Sequence, residues 1–493
     1  MPTLDGTDRA VELAPGVRIV APGLRGTIDL HEVPPDNPTR ATQVDAARPA
    51  WEEALASAGA LRTRVITLDV TEAPPPGASG VRAPSGEDGL VIELPDLGDT
   101  VDQVVAAVDE AGVVTWNFPL TPDGAPATTR GAGSTLRYVI RNTTPPTDEQ
   151  GTDRGLIGAI GRKVLEVLLF PVVDPVLGPV TRAFAGAWER SKRPVRVRGF
   201  LPGDHRSAQA EPLTEEEWRR LGSGPCLLFV HGTFATSHGG FGALPTATME
   251  ELHRRYGGRV AAFDHHTLAV DPLANVAALG ELIPDGVKLT ADVVAHSRGG
   301  LVARALAGEG VASPIEVRRG VYVGTPNHGT PLADPAHMVA FLDRVTTMLN
   351  FVPDPIGVTD VLEAVLTVVK VIARTGLGAL PGLASMDPGG EFLASFNTGA
   401  ETGVIHHAIA ADYEPVGAVR RLVTQLAKDA VVDRVFDDAA NDLVVPTVGV
   451  YEGSGDPAFP IPEERRLLFA KDVFHGTFFS QPDTSRVLLE WLT

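Results

Sequence analysis

The chain has 493 residues, which is long enough for several folded domains, and its composition is that of an ordinary globular protein. Hydrophobic residues make up 43% and charged residues 21%, with a mean hydropathy of +0.06, which excludes wholesale disorder, collagen and coiled coil. The 42 basic and 62 acidic residues leave a net charge of −20. That charge repels phosphate backbones and anionic bilayers, so no nucleic-acid partner is expected.

Cysteine usage and the N-terminal residues bear on the compartment. A single cysteine, Cys226, excludes an intrachain disulfide and a cysteine-based metal site. Residues 1–16 lack a basic segment followed by an apolar run, so no secretory signal is predicted. We therefore expect a cytoplasmic protein, and the preference for Arg over Lys is typical of a GC-rich bacterium.

Residues 1–145 are predicted to form a β-rich, sandwich-like N-terminal domain, because short runs of strand-forming residues alternate with Pro, Gly and Asp turns. The predicted strands are 17–20, 64–70, 90–94, 112–118 and 135–140. A helix is predicted over 48–58, and 101–110 is predicted as a second helix or a long turn. No Ser, His, Cys or carboxylate cluster here has a catalytic spacing, so we expect a packing module or one that contacts a protein partner.

Residues 146–193 are predicted to be an apolar helical connecting segment. Charged residues and prolines interrupt the apolar stretch 155–188, so it lacks the roughly 18 uninterrupted apolar residues of a membrane span. We expect two amphipathic helices that pack on the neighbouring domain, with contact at a membrane surface as the alternative.

Residues 194–493 are predicted to be an α/β domain, because buried strand runs alternate with helical stretches. The runs that we assign to one mostly parallel sheet are 226–230, 259–263, 289–295, 320–323, 404–411 and 466–469.

The third of these strands leads into the sequence AHSRGG (295–300) and then into a helical run, 301–308. A strand, a tight turn with small residues around a serine, and a helix are the requirements of a nucleophile elbow, with Ser297 as the nucleophile. The first small residue is Ala295, where glycine is usual. The first strand delivers HGTF (231–234), so the backbone N–H groups of Thr233 and Arg298 are the predicted oxyanion-hole donors. His231 is expected to anchor its loop.

A catalytic serine needs a histidine base, which in turn needs an acid to orient it. Asp442 lies in FDDAANDLVVP (436–446) beyond the fifth strand, and Asp437 and Asp438 are its rivals. His475 is the only histidine that follows Asp442 in the chain. The predicted catalytic residues are therefore Ser297, Asp442 and His475, in that chain order.

Together with the GTPNHGT turn (324–330), these motifs resemble the lipase-like serine esterase branch of the α/β-hydrolase superfamily, in particular triacylglycerol lipases and inositol deacylases. The resemblance covers 194–493. It implies an α/β-hydrolase fold, an acyl-enzyme mechanism, and no metal or organic cofactor. His328 precedes the acid in the chain and the family does not use such a residue as its base, so we expect it to line the site as a loop residue.

An insertion at about 335–400 contains apolar helical runs. It is predicted to be a helical cap, either a lid that shields an acyl chain or helices that only pack on each other. The predicted function is hydrolysis of carboxylic esters, with lipid-like or long acyl substrates. The alternatives are a thioesterase, amidase or acyltransferase with the same residues, or an interaction protein whose N-terminal module recruits a partner to the hydrolase domain.

Overall fold

A computed structural model of the chain describes residues 1–33, 48–73, 90–98, 100–109, 112–120, 134–140, 161–171, 181–308, 313–350, 356–375, 380–397, 403–414, 435–436, 439–452 and 461–492. The strands are β1 (Thr3–Asp5), β2 (Val11–Ala14), β3 (Val17–Val20), β4 (Arg25–Glu32), β5 (Leu61–Glu72), β6 (Leu90–Pro95), β7 (Val101–Asp109), β8 (Val114–Asn117), β9 (Thr135–Ile140), β10 (Gly161–Pro171), β11 (Arg196–Gly199), β12 (Cys226–Val230), β13 (Val260–Asp264), β14 (Leu289–His296), β15 (Ile315–Val323), β16 (Ile405–Asp412) and β17 (Arg466–Ala470).

The helices are α1 (Arg48–Ser57), α2 (Thr181–Lys192), α3 (Glu215–Leu221), α4 (Ser237–Phe241), α5 (Thr246–Arg255), α6 (Pro272–Leu282), α7 (Gly299–Ala307), α8 (Met338–Leu349), α9 (Val358–Thr375), α10 (Pro381–Ala384), α11 (Glu391–Phe396), α12 (Val448–Tyr451) and α13 (Pro482–Trp491). Short 3₁₀ helices lie at Pro331–Ala333, Pro335–His337, Glu463–Arg465 and Phe478–Ser480. Within these elements, no described helix is long and apolar enough to cross a membrane.

The N-terminal part is a β-sandwich of two antiparallel sheets. A six-stranded sheet has the order β1-β4-β5-β10-β7-β8, and a four-stranded sheet has the order β2-β3-β6-β9. Buried side chains from both sheets share one core, for example Ile19 and Tyr138 from the smaller sheet with Leu68 and Leu165 from the larger. The alternation of buried and exposed residues along β3 and β9 is what such a one-sided sheet requires.

Two elements of this sandwich correct the sequence prediction. Residues 101–110 were expected to be helix or turn, and 155–188 to be two helices, yet β7 and β10 are adjacent antiparallel strands of the larger sheet. Nearly every residue of β10 is buried because the strand lies between β5 and β7 and both of its faces are covered. A continuous apolar run gives no period that separates a helix from a buried strand. Of the segment 146–193, only α2 is a described helix, and the sandwich extends beyond residue 145 to Pro171.

The outer face of the six-stranded sheet packs against helices. Apolar side chains of β7, β8 and β10 belong to the same buried cluster as those of α1, α8 and α9. Hydrogen bonds reinforce the contact between β8 and α8: the Trp116 amide donates to Asp343 Oδ1 (2.7 Å), its indole N–H to Thr346 Oγ1 (3.0 Å), and the Val114 amide to Thr347 Oγ1 (3.0 Å). The sandwich therefore holds the helical insertion from one side.

The C-terminal part is a seven-stranded sheet with the order β11-β13-β12-β14-β15-β16-β17. All neighbours are parallel except β11, which pairs antiparallel with β13 and was not predicted from the sequence. Both faces are buried: Leu228 and Val230 of β12 join one apolar cluster, and Leu227 and Phe229 join the other. A parallel sheet covered on both faces explains why these strands are continuous apolar runs.

The parallel strands end at one edge of the sheet, and that edge carries the candidate site. Between β15 and β16 the chain makes an insertion of 3₁₀ turns and helices α8 to α11 above it. The N-terminus of helix α6 is capped: the Asp271 side chain accepts the Ala274 amide, and Pro272 lies in the first turn. The sheet order, the helices on both faces and a serine turn after central β14 constitute an α/β-hydrolase fold.

Candidate active site

Ser297 stands on a sharp turn between β14 and α7. Its φ is 53°, in the left-handed region that side chains other than glycine seldom adopt, and its amide donates to the Val323 carbonyl of β15 (2.9 Å). The side chain is buried at 5% exposure. Strain fixed in this way by neighbouring strands is what a nucleophile elbow shows.

Two glycines make room for this turn. A Cβ on Gly299 would lie 2.4 Å from the carbonyl oxygens of Val230 and His231, so α7 approaches β12 as closely as only glycine allows. A Cβ on Gly232 would lie 2.6 Å from Ser297 Cβ and 3.2 Å from its Oγ. The loop after β12 therefore runs directly against the serine.

The amides of Thr233 and Arg298 flank the serine on these two loops. Among the described residues neither amide donates a hydrogen bond to another protein atom. Phe234 follows Thr233 with a φ of 64°, and its amide donates to Thr267 Oγ1 (3.3 Å). Two unpaired N–H groups held beside a serine are chemically suited to receive an oxyanion.

Asp442 and His475 form a hydrogen-bonded pair. The His475 Nδ1–H donates to Asp442 Oδ2 at 2.8 Å, and the His475 amide donates to the Asp442 carbonyl at 3.0 Å. The two side chains are buried, with relative exposures of 1% for Asp442 and 9% for His475. This geometry leaves His475 Nε2 as the nitrogen that can accept a proton.

A tight turn fixes the acid. Asp442 Oδ1 accepts the amides of Val444 (3.0 Å) and Val445 (2.7 Å), and Leu443, which follows Asp442 directly, has a φ of 78°. One oxygen of the carboxylate therefore accepts the amides of its own turn, and the other accepts the N–H of His475. The sequence rivals Asp437 and Asp438 lie outside the described residues.

No hydrogen bond joins the Ser297 hydroxyl to His475 in the described structure, but His296 connects the two loops. His296 Nε2–H donates to the His475 carbonyl at 3.1 Å, and the two rings lie 4.8 Å apart. Burial, with a smaller contribution from His475, lowers the pKa of His296 to about 3, so its ring is neutral. The sequence reasoning gave His296 no role, although it directly precedes the serine.

The other two histidines of the motifs stand apart from this pair. His231 is buried, its Nδ1–H donates to the Gly232 carbonyl (3.0 Å), and its Nε2 accepts the His265 amide (3.2 Å). Burial lowers the pKa of His231, and its hydrogen bonds anchor the loop. His328 is exposed, and its amide donates to the Gly449 carbonyl (2.9 Å).

The insertion contacts both sides of the site. Phe341 of α8 stacks on Phe234 with 5.5 Å between ring centroids, and Thr233 Oγ1 lies 3.8 Å from Met386 Sδ. On the opposite side, Arg344 Nη1–H donates to the Leu443 carbonyl (2.6 Å). Among the described residues, no group of three or more His, Cys, Asp or Glu side chains is arranged to hold a metal ion.

Solved structures to which the chain is similar include three bacterial proteins. They are lipase 1 from Pelosinus fermentans (13% identity, 54% of this chain and 98% of that chain, TM-score 0.34), a lipase-esterase related protein from Clostridium acetobutylicum (13%, 54% and 93%, TM-score 0.28) and a thermophilic esterase from Thermogutta terrifontis (13%, 55% and 90%, TM-score 0.28). No curated protein matches the chain. The sequence model of one family, described as a domain of unknown function (DUF7379), matches residues 192–493, which is more than half of the sequence, and the chain belongs to that family.

Proposed function

We propose that this protein is a serine hydrolase that cleaves carboxylic esters through Ser297, His475 and Asp442. The observation that carries the proposal is the buried 2.8 Å hydrogen bond between His475 Nδ1 and Asp442 Oδ2, at the sheet edge where Ser297 stands on a strained turn. A strained serine, a buried histidine or a buried aspartate could each be present for structural reasons alone. The three residue types converging on one edge of an α/β-hydrolase sheet are the combination that nucleophilic catalysis requires.

The mechanism follows from these positions. Ser297 Oγ adds to the ester carbonyl carbon while its proton passes to His475 Nε2, and the amides of Thr233 and Arg298 hold the carbonyl oxygen as it becomes negative. His475 then gives that proton to the departing alcohol, leaving an acyl-serine. Water repeats the sequence and releases the acid. Asp442 holds the imidazole in the Nδ1–H tautomer and balances the charge of the imidazolium.

For the acyl group we propose a lipid-like or long chain, with residues at about 335–400 acting as a cap. Support comes from the apolar insertion and its two contacts with the loop after β12 (231–234), through Phe341 and Met386. Apolar helices above a serine can bury an alkyl chain and exclude water from the acyl-enzyme. The resemblance of residues 194–493 to lipases points to the same substrate class.

Labelling with a fluorophosphonate probe tests the proposal. The wild-type protein should be labelled and should hydrolyse p-nitrophenyl butyrate, whereas Ser297→Ala should lose the label and nearly all turnover while keeping its circular dichroism spectrum and Tm. Normal turnover by Ser297→Ala would reject the nucleophile. A matched panel of thioester, anilide and ester substrates, with and without an alcohol acceptor, separates an esterase from a thioesterase, amidase or acyltransferase.

A further inference from the structure

Glu189 on α2 is a buried carboxylate with an unusual set of partners. It is 1% exposed and accepts three consecutive backbone amides, those of Thr267 (2.5 Å), Leu268 (2.9 Å) and Ala269 (2.9 Å). It forms no ion pair with any side chain in the described part of the chain. Three successive amides that point at one anion form a backbone nest, and here a side chain from outside the hydrolase sheet fills it.

The loop that Glu189 binds, residues 267–270, which we term the anchor loop, is tied to both candidate oxyanion donors. On one side, Thr267 Oγ1 accepts the amide of the strained Phe234, which adjoins Thr233. On the other, the fully buried Arg298 side chain donates to the Val270 carbonyl at 2.5 Å. The anchor loop therefore contacts the chain at or next to each donor, as the insertion also does through Met386 and Gly382.

Other contacts also hold the anchor loop, because Leu268 and Ala269 are buried in the hydrophobic core and the insertion is hydrogen-bonded to the loop. Gly382 of the insertion donates its amide to the Leu268 carbonyl (2.9 Å), and Arg298 Nε–H donates in turn to the Gly382 carbonyl (2.7 Å). These bonds link the anchor loop to the cap and to the elbow. In the described structure, however, only the Glu189 carboxylate accepts the three amides of the loop. Removing the charge of Glu189 leaves buried N–H groups without a full set of acceptors.

We propose that Glu189 is a positioning residue for ester hydrolysis, which holds the anchor loop so that the amides of Thr233 and Arg298 point at the oxyanion; this rests on the proposed serine-hydrolase function. Glutamine at this position has nearly the same shape. One of its terminal groups is an N–H₂ donor, which must face an amide donor of the nest, so the loop has to move. Misplaced oxyanion donors weaken binding of the transition state more than binding of the ester.

The experiment compares Glu189→Gln with Glu166→Gln in the full chain. Glu166 is also buried and accepts hydrogen bonds from Trp51 and Arg62, but it lies on β10 of the sandwich, on the face that packs against α1. We expect Glu189→Gln to lower kcat for p-nitrophenyl butyrate by roughly 10- to 100-fold with KM within about threefold. Its Ki for a trifluoromethyl ketone, whose serine adduct carries an oxyanion, should rise in parallel. Glu166→Gln should change Tm alone.

A second pair of variants keeps the proposal testable if Glu189→Gln fails to fold. Thr267→Val removes the acceptor of the Phe234 amide with little change of shape, and Thr267→Ser restores the hydroxyl. The valine variant should lose kcat and ketone affinity together, and the serine variant should recover both. Equal activity of the two, or a folded Glu189→Gln enzyme with kcat within about twofold of wild type, would overturn the positioning role while leaving the serine-hydrolase function intact. A wild-type protein that hydrolyses no ester and takes no label would overturn both.

Discussion

Replacing Asp442 by asparagine probes the orientation of the histidine base. In the wild type, Oδ1 accepts two backbone amides and Oδ2 accepts the Nδ1–H of His475. An asparagine side chain has one acceptor oxygen, and the two amides of the turn compete with the histidine for it. If the oxygen stays with the amides, the N–H₂ group faces His475 and forces Nδ1 to accept. The ring proton then sits on Nε2, which can no longer take the proton of Ser297.

The expected loss of kcat follows from the free-energy cost of the alternative orientation of the asparagine amide. Turning the amide so that its oxygen faces His475 leaves the two buried amides of Val444 and Val445 without an acceptor, at roughly 1 to 3 kcal/mol each. A total of about 2 to 6 kcal/mol means that the productive tautomer is populated roughly 30- to 10⁴-fold less. We expect kcat for p-nitrophenyl butyrate to fall within that range at pH 7.5, with little change in KM.

The assay needs the two rival aspartates as matched controls. Asp437→Asn and Asp438→Asn should keep kcat within a fewfold of wild type, and thermal melts should show that all three variants fold. If Asp442→Asn keeps kcat within about fivefold of wild type, the tautomer argument is refuted. If instead Asp438→Asn is the inactive variant, the acid has been assigned to the wrong residue.

Three further predictions concern space, substrate and pH. Gly232→Ala should lower kcat by roughly 100-fold, because its Cβ would stand 2.6 Å from Ser297 Cβ, whereas Gly280→Ala on α6, with no atom within 4 Å, should be active. Catalytic efficiency should rise with acyl length by up to about fourfold per methylene, and Phe341→Leu should weaken laurate hydrolysis more than acetate hydrolysis; a flat series would contradict an acyl-binding cap. Burial lowers the pKa of His407 to about 4. As the pH falls below about 6.5, His407 therefore binds a proton in the unfolded chain before it does so in the folded chain, and the folded state loses stability. Denaturant titrations at pH 7 and 5.5 should show a loss of stability, and His407→Gln should remove from it the His407 share of roughly 1 kcal/mol.

The sequence predicted most of the α/β domain because its signals are local. Strands such as β12 are short apolar runs bounded by polar turns, and the elbow is encoded in six consecutive residues, 295–300. β10 was mistaken for helix because its continuous burial depends on neighbours far along the chain. β11 was missed because a four-residue edge strand with two arginines carries almost no pattern.

The residues of the candidate site also fall into two groups, those that local sequence indicates and those that only the folded structure identifies. Ser297, Asp442 and His475 could be proposed as catalytic residues from the sequence because residue type and chain order restrict the choice. Glu189 could not, since a glutamate on an amphipathic helix looks like any solvated residue until the fold brings it against amides 78 to 80 positions away. The same holds for Arg344, whose side chain is buried against the loop of Asp442, residues 442–445, which we term the acid loop. Residues that position others acquire their roles from tertiary contacts, which leave no spacing in the sequence.

These contacts also bear on the N-terminal sandwich, which the sequence alone leaves as a packing module or a partner-binding module. The outer face of its larger sheet is occupied by the protein's own helices, and Trp116 is hydrogen-bonded to Asp343 and Thr346 on α8. The next residue after Asp343 is Arg344, which holds the acid loop. A partner that bound this face would first have to displace the insertion and would disturb the site with it. The geometry therefore favours packing on this sheet face, where the sandwich supports the helices above Ser297.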